Sequence, residues 1–133
     1  MIKIVQFEKK DFYKIKELLI NGFSKSFNKE LNSDFLENDN CYGFVAKDEK
    51  KTVGYASIHI IEKLNRKSCL IEDVVIQKSE RGKGIGKKLI EFLIDFSKLK
   101  KCDKIILNSN ESNIPFYEKL GFFKSEIQMI IRN

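Results

Sequence analysis

The chain contains a glycine-rich turn where an apolar segment gives way to an amphipathic one. The turn reads Gln77-Lys78-Ser79-Glu80-Arg81-Gly82-Lys83-Gly84-Ile85-Gly86-Lys87-Lys88. Residues 70–76 before it are typical of a buried strand, and residues 89–99 after it repeat at helical spacing. Glycine lets the backbone approach a ligand without a clashing Cβ, and the free N–H groups of a helix's first turn attract an anion. The turn therefore predicts a phosphate-binding loop.

The spacing of the glycines excludes two familiar phosphate-binding loops. A P-loop has four residues between its glycines and a Ser or Thr after the Lys, but Gly82 and Gly86 enclose only Lys83, Gly84 and Ile85. A dinucleotide loop reads Gly-x-Gly-x-x-Gly near the start of a βαβ unit, which this turn does not match. Taken alone, the turn is also compatible with a helix entry that merely needs flexible residues. The turn instead matches the pattern Arg-x-x-Gly-x-Gly.

Length and composition indicate one globular domain. The chain has 133 residues, a length that suffices for one hydrophobic core and is too short for two. With 42% hydrophobic and 33% charged residues, its composition is that of a globular protein. No apolar run is long enough to span a membrane, and the N-terminus predicts a strand rather than a signal peptide. The 3 cysteines lack CxxC spacing, and His59 is the single histidine. We therefore expect free thiols in a reducing cytoplasm and no metal site.

The net charge of +6 arises from lysines that are spread along the chain and interleaved with acids. A nucleic-acid-binding protein more often groups its basic residues on one element, with aromatic residues between them. Basic residues are grouped only around the glycine-rich turn, at Arg81, Lys83, Lys87 and Lys88. A small polyanionic ligand explains that group better than nucleic acid, so we expect no nucleic-acid partner.

Hydrophobic periodicity predicts the order βααββ-β-α-β-α-β, a mixed α/β sheet in a layered sandwich. Strands are predicted over residues 2–7, 42–47, 52–61, 70–76, 104–108 and 122–131, and helices over residues 12–22, 23–37, 89–99 and 116–120. The apolar stripe of the third helix begins at Ile85. We expect Asp11 to cap the first helix, and Pro115 and Gly121 to begin and end the last one.

Three segments of the chain resemble the GNAT superfamily of N-acetyltransferases. They are Ile71-Glu72-Asp73-Val74-Val75-Ile76, the Arg81–Gly86 turn, and Ile114-Pro115-Phe116-Tyr117-Glu118-Lys119-Leu120-Gly121-Phe122. They look much like glucosamine-6-phosphate N-acetyltransferases and small bacterial GNAT enzymes. The resemblance implies an α/β GNAT fold with a mostly antiparallel sheet, a splayed strand pair, and one domain over residues 1–133. It also implies acetyl-CoA as co-substrate and a small primary amine as acceptor, with glucosamine 6-phosphate first among the candidates.

The same resemblance assigns residues to the coenzyme. Main-chain groups of Val74, Val75 and Ile76 would bind the pantetheine and the thioester oxygen, although their side chains can equally fill the core. The other coenzyme-binding residues would be Arg81, Gly82, Lys83, Gly84, Ile85, Gly86, Lys87, Asn113 and Tyr117. Asn110 and Asn113 can instead cap the helix that follows them.

Glu72, Asp73 and Tyr117 are the candidate catalytic residues. Because side chains alternate in a strand, we expect the two acids to face opposite sides and not to form a carboxylate pair. One of them would orient the acceptor ammonium and accept its proton, directly or through water, as the resemblance implies; either could also be a surface charge. The Tyr117 hydroxyl, a neutral donor, would protonate the leaving thiolate, unless the ring is merely a core aromatic.

Two further residues concern the acceptor. The resembling sugar-phosphate enzymes carry an acid where this chain has Asn108, which can hydrogen-bond a substrate but holds no charge. Arg132 resembles a C-terminal arginine that contacts the sugar phosphate across a dimer interface in those enzymes, so we predict a homodimer; a frayed tail is the alternative.

Other acceptors left open are a protein N-terminus, a lysine, a polyamine or a drug. A non-catalytic acyl-CoA-binding module is the alternative from another functional class, and a nucleic-acid module has only the charge in its favour.

Overall fold

The computed structural model describes all 133 residues, from Met1 to Asn133. Its strands are β1 (Ile2–Gln6), β2 (Cys41–Asp48), β3 (Lys51–Glu62), β4 (Lys67–Ile76) and β5 (Lys104–Leu107). Its helices are α1 (Phe12–Gly22), α2 (Ser33–Glu37), α3 (Ile85–Leu99) and α4 (Ile114–Lys119). Short 3-10 turns lie at Lys9–Asp11, Lys25–Phe27, Lys78–Glu80 and Glu111–Asn113. None of the helices has the length and apolar character needed to cross a bilayer.

The five strands form one sheet in the order β1-β2-β3-β4-β5. Strands β1 to β4 are antiparallel neighbours, and β5 runs parallel to β4. The predicted fold class, a mostly antiparallel mixed sheet flanked by helices, is confirmed. The β4–β5 pairing ends at Ile71 and Leu107, whereas β4 continues to Ile76. Residues 72–76 therefore have no neighbouring strand on the β5 side, and the strand pair is splayed there.

Helices cover both faces of the sheet. On the face covered by α3, called here the α3 face, Leu89, Ile90 and Leu93 pack on Ile58 and Ile71 of the sheet. On the opposite face, the α1 face, Ile15 and Leu18 pack with the buried side chains of Phe7, Val45, Tyr55 and Val75. Neighbouring residues of β3 thus point alternately into two separate cores, as a strand buried on both sides requires.

Several predicted boundaries are wrong. Strand β4 begins at Lys67 rather than at residue 70, because it pairs with β3 along almost its whole length. The predicted helix over residues 23–37 is a 3-10 turn followed by the five-residue α2. The predicted last strand, residues 122–131, has no strand conformation. Strand-forming side chains alone do not make a strand, since a neighbouring backbone must supply the hydrogen bonds.

The cysteines also differ from expectation, since Cys69 and Cys102 are joined as a disulfide and only Cys41 is free. The bridge connects β4 to the segment between α3 and β5, across a Cα–Cα distance of 6.2 Å. Because its two residues are 33 positions apart in sequence, their spacing matches no motif and gave no signal. The expectation of three free thiols is therefore wrong for two of them.

The helix ends confirm one prediction and correct another. Gly121 has a φ of 101°, and the N–H groups of Gly121 and Phe122 bond to the carbonyls of Glu118 and Tyr117, so α4 ends in a Schellman motif. Asp11, by contrast, does not cap α1 with its side chain. Its buried carboxylate accepts hydrogen bonds from the Glu8 N–H at 3.0 Å and from Lys47 Nζ at 2.6 Å, which ties the start of α1 to β2.

Candidate functional site

The glycine-rich turn has an open side and free donors. Gly82 and Gly84 both have a φ of 81°, a left-handed conformation in which a side chain is strained, and a Cβ at either would meet nothing within 4 Å. Gly84 is also the N-cap of α3, with no side chain capping the helix. The backbone N–H groups of residues 82–87 donate no hydrogen bond within the chain. The turn thus offers a run of free N–H groups at the positive end of a helix.

Neighbouring residues hold this turn against the rest of the fold. The Arg81 Nε donates to the Ile76 carbonyl at 3.2 Å, which links the turn to the end of β4. Lys83 pairs with Glu80 at 2.8 Å, and this hydrogen bond raises the pKa of the exposed ammonium. A Cβ on Gly86 would lie 3.5 Å from the Phe116 ring, an ordinary packing distance, so packing does not require glycine there. Arg81 therefore has a role within the fold as well as in the predicted ligand site.

The free edge of β4 leads directly into the turn. Val75 packs into the core on the α1 face, while Val74 and Ile76 contact the core on the α3 face. Their backbone has β3 on one side, where Val75 pairs with Tyr55, and no strand on the other. The two interpretations of these residues are compatible, because the side chains fill the core while one edge of the backbone stays available.

A β-bulge interrupts β4 at the two acidic residues. Tyr55 and Ser57 of β3 are two residues apart, but their partners Val75 and Glu72 are three apart. The extra residue in β4 leaves Asp73 with a φ of 53°. Strict alternation fails at this point, so the expectation that Glu72 and Asp73 face opposite sides is wrong. Glu72 faces the α1 side opposite Ser57. Burial raises the pKa of Tyr55 on that face, and the charge of the nearby Asp73 raises it further.

The two carboxyl groups share a partly buried environment. Burial raises the pKa of Glu72, and the charge of Asp73 raises it further. Burial also raises the pKa of Asp73, while the nearby His59 lowers it. Because their pKa values are raised, the two carboxylates are stronger bases than exposed ones, which suits groups that bind and deprotonate a cation.

Tyr117 lies on α4 with its ring packed edge-on against Phe116 and Phe122, at centroid distances of 5.0 and 5.8 Å. The ring contributes to the core on the α3 face, yet the hydroxyl makes no hydrogen bond within the chain. Burial raises the pKa of the hydroxyl, so it stays protonated near neutral pH. The ring of Tyr117 therefore packs in the core while its hydroxyl remains free to donate a hydrogen bond.

The remaining predicted site residues are on the surface. The Asn110 side chain accepts from the Asn113 N–H at 3.0 Å and so caps the turn before α4, which leaves the exposed Asn113 side chain free. Asn108 is exposed just after β5, and Arg132 is exposed in the segment after α4. The structure brings neither Asn108 nor Arg132 into a hydrogen bond or ion pair with the acids.

Three polar residues near the acids were not predicted to belong to the site. Tyr55, Ser57 and His59 occupy every second position of β3 and face the α1 side, while Ala56 and Ile58 between them enter the opposite core. The signal was present in the sequence as polar side chains alternating with apolar ones. No group of three or more His, Cys, Asp or Glu side chains is arranged to hold a metal ion.

The chain matches the model of the acetyltransferase (GNAT) family over residues 12–122. The chain therefore belongs to the GNAT acetyltransferase family, and the resemblance inferred from its motifs is confirmed. The free edge of β4 and the glycine-rich turn lie inside the matched range.

Two curated relatives and one crystal structure are informative. The chain is 49% identical over 82 residues to glucosamine 6-phosphate N-acetyltransferase of Trypanosoma brucei brucei, covering 59% of this chain and 56% of that protein. It is 45% identical over 74 residues to the Arabidopsis thaliana enzyme of the same name, covering 53% and 50%. The chain thus spans about half the length of these curated relatives. The crystal structure of glucosamine-6-phosphate N-acetyltransferase from Arabidopsis thaliana superposes with a TM-score of 0.84 and 32% identity, covering 99% and 98%.

The bulge generates a stability prediction. We expect Asp73→Asn to raise the melting temperature by a few degrees, because it removes a half-buried charge and asparagine tolerates positive φ. The direction of the change follows from the raised pKa of Asp73. The folded state holds the carboxyl proton more tightly than the unfolded state, so stability falls as pH rises from the unfolded-state pKa through the folded-state pKa. Asp73→Ala is the matched control and should be less stable than Asp73→Asn at pH 7. Equal melting temperatures for the two variants would contradict the strained conformation.

Proposed function

We propose that the protein is an acetyl-CoA-dependent N-acetyltransferase that acylates the primary amine of a small molecule. The observation that carries the proposal is the continuity of the free β4 edge with a turn of unpaired N–H groups. An acidic pair with raised pKa lies on that same strand. The names of the relatives make glucosamine 6-phosphate the first candidate acceptor. A single domain over residues 1–133 is part of the proposal.

The coenzyme-binding residues fit a diphosphate and an extended arm. The open side of Gly82 and Gly84 leaves room for phosphate oxygens beside the N–H groups of residues 82–87. The exposed Lys87 adds positive charge beside the turn. The main chain of residues 74–76 would pair with the amide groups of the pantetheine arm, as a neighbouring strand would. Asn113 is the proposed side-chain contact to that arm. Acetyl-CoA supplies an acetyl thioester, the activated acyl group of the reaction.

The acceptor amine requires a base, and the departing sulfur requires an acid. Glu72 and Asp73 would hold the ammonium and take one of its protons, so that the neutral nitrogen can attack the acyl carbon. The Tyr117 hydroxyl would give its proton to the thiolate sulfur as the C–S bond breaks, and regain one from the acylated nitrogen. The protein thus provides the acid and the base from different elements, α4 and β4.

A phosphorylated acceptor needs a cation that the coenzyme does not use. The basic residues Lys63 and Arg66 belong to the β3–β4 turn, and Lys67, the first residue of β4, lies five positions before Glu72. At roughly 3.3 Å per residue, that separation is about 16 Å, which exceeds the reach of a hexosamine phosphate. Arg132 remains as the proposed phosphate contact, and Asn108 as a hydrogen-bonding group.

The C-terminal segment favours a homodimer. Phe123, Ile127, Met129 and Ile131 in that segment are 81–91% exposed. Strand β5 lies at an edge of the sheet. An apolar segment without a partner and a sheet edge without a neighbour are complementary, so we propose that the segment of a second copy pairs along β5. Reciprocal exchange would give a closed dimer.

We place the protein in the cytoplasm, where acetyl-CoA is available. The proposed partners are the small-molecule amine and a second copy of the chain.

An acetylation assay tests the function. Free thiol released from acetyl-CoA is measured over amino sugars, polyamines and peptides, and glucosamine 6-phosphate is expected to give the fastest turnover. Tyr117→Phe should lower kcat by about tenfold to a thousandfold with little change in the KM for acetyl-CoA, because the ring still packs. The matched control is Tyr13→Phe, which alters an exposed ring of α1. If no amine releases thiol, the chain is a non-catalytic acyl-CoA-binding module instead.

The phosphate contact has its own test. Arg132→Ala should raise the KM for glucosamine 6-phosphate by about tenfold or more, since an arginine–phosphate contact is charge-assisted. The KM for acetyl-CoA and the rate with unphosphorylated glucosamine should stay unchanged. Arg66→Ala, which alters an exposed arginine of the β3–β4 turn, serves as control. An enzyme that prefers unphosphorylated amines, or is indifferent to Arg132, does not use a sugar phosphate.

The dimer prediction concerns the apolar C-terminal segment. Replacing Ile127 and Ile131 together with Asp should convert the protein to monomers, because charges would be buried in the proposed interface. Analytical ultracentrifugation measures the mass in solution. The control is Gln128→Asp, which adds a charge to the same segment without removing an apolar side chain. A wild-type protein that sediments as a monomer at micromolar concentration rules out the dimer.

A further inference from the structure

Ser57 and His59 have no part in the function proposed above, yet hydrogen bonds connect them to the strand that carries the acidic pair. They occupy alternate positions of β3 on the α1 face, and Ser57 is the residue that pairs with Glu72 of β4. The Ser57 Oγ lies 3.0 Å from His59 Nε2 and 3.2 Å from the backbone carbonyl oxygen of Glu72. Ser57 is only 2% exposed, so its hydroxyl depends on partners within the protein.

The direction of these two hydrogen bonds follows from the donors available. A carbonyl oxygen only accepts, so the single hydrogen of the Ser57 hydroxyl is used in the bond to Glu72. The Ser57 oxygen then accepts from His59, which requires the hydrogen of the neutral ring to be on Nε2. The three groups form one chain, in which His59 donates to Ser57 and Ser57 donates to the Glu72 carbonyl.

The Glu72 carbonyl belongs to the peptide unit that joins the two acidic residues. The orientation of that unit is determined by the ψ of Glu72 and by the φ of Asp73, which is 53°. A positive φ is unfavourable for a residue with a Cβ, so the surrounding structure has to support it. The bond from Ser57 holds this peptide unit at the point where the bulge interrupts the pairing of β3 with β4.

The bulge determines which way the two carboxylates point. Ile71 and Val74 are three positions apart, yet both contact the core on the α3 face. In a regular strand, residues three positions apart face opposite sides, and Asp73 would share the face of Ile71. The bulge therefore keeps Asp73 out of that core and beside Glu72. Without it, the two carboxylates would be separated by the sheet.

We propose that Ser57 and His59 are positioning residues, whose hydrogen-bond chain to the Glu72 carbonyl keeps both carboxylates on the acceptor side. This inference rests on the proposed function, in which the acids bind the acceptor ammonium. Neither residue has to touch the acceptor, because both act through the backbone of Glu72. The chain lies on the β3 side of β4, opposite the edge proposed for the coenzyme. Its loss should therefore affect the acceptor and not acetyl-CoA.

The first test is Ser57→Ala, which removes the donor to the Glu72 carbonyl. With the amine that is acetylated fastest, we expect the KM for the amine to rise by about tenfold or more, because misplaced carboxylates bind the ammonium poorly. The KM for acetyl-CoA should stay unchanged. A variant that is merely less stable would contain less active enzyme, which lowers kcat and changes neither KM.

The matched control for this test is Ser68→Ala. It removes the hydroxyl of a fully buried serine of β4, which has no hydrogen-bonding partner, and should keep both KM values. An unchanged KM for the amine in Ser57→Ala would overturn the inference, and so would a rise of the same size in Ser68→Ala.

The second test compares His59→Gln with His59→Leu. The amide nitrogen of glutamine is as many bonds from the Cα as His59 Nε2 and can donate to Ser57, whereas leucine has no donor. We expect His59→Gln to keep the KM for the amine near the wild-type value, and His59→Leu to raise it by about threefold to tenfold, the loss of one hydrogen bond. Equal KM values for the two variants would overturn the role of His59.

The third test needs no turnover. Because the chain has one histidine, nitrogen-15 NMR shows directly which nitrogen of the neutral ring carries the hydrogen. We expect it on Nε2, protected from solvent exchange in the wild-type protein and exchanging faster in Ser57→Ala. A hydrogen on Nδ1 would make Ser57 the donor to His59, leave the Glu72 carbonyl without this bond and overturn the chain.

The two proposals fail in different ways. A wild-type protein that releases thiol, together with an unchanged KM for the amine in Ser57→Ala, overturns the positioning role alone. A wild-type protein that releases no thiol with any amine overturns the proposed function, and the positioning role with it.

Discussion

The site depends on the point at which β4 and β5 cease to be hydrogen-bonded. Their pairing ends at Ile71 and Leu107, five residues before β4 itself ends. A buried strand normally satisfies its backbone groups on both sides, so an unpaired edge within a sheet is costly unless a ligand or water completes it. Here that edge continues into a turn whose N–H groups are also free. The two unsatisfied stretches are consecutive in the chain, which makes one long ligand more suitable than two separate ones.

The bulge in β4 groups two acidic side chains on one face beside this edge. A regular strand would have placed Glu72 and Asp73 on opposite faces, one of them in the core on the α3 face. The extra residue brings both to the α1 face, next to the polar row of β3, while Val74 and Val75 still enter opposite cores. The positive φ of Asp73 is unfavourable for a residue with a Cβ. Backbone strain therefore occurs where the charges are grouped, as expected of a functional site.

Sequence patterns predicted the features that depend on local chemistry. The glycine-rich turn before α3, the end of α4 at Gly121 and the apolar stripe of α3 all follow from residues near one another in the chain. The bulge and the Cys69–Cys102 bridge depend instead on the register between strands and on how elements pack, for which the sequence carries no local signal. The predicted strand over residues 122–131 is wrong for a related reason. Its side chains are those of a strand, but it forms no hydrogen-bonded pairing with the edge strand β5 or with any other strand.

The coenzyme side and the acceptor side of the proposed site depend differently on dimer formation, because of the C-terminal segment. The glycine-rich turn and the edge of β4 are built within one chain and are present in a single copy. Arg132 follows an exposed apolar segment that is not paired with any strand of its own sheet. If a second copy orders that segment along β5, the cation for the acceptor is positioned only in the dimer. Coenzyme binding would then be independent of protein concentration, while selection of a phosphorylated acceptor would require the assembled pair.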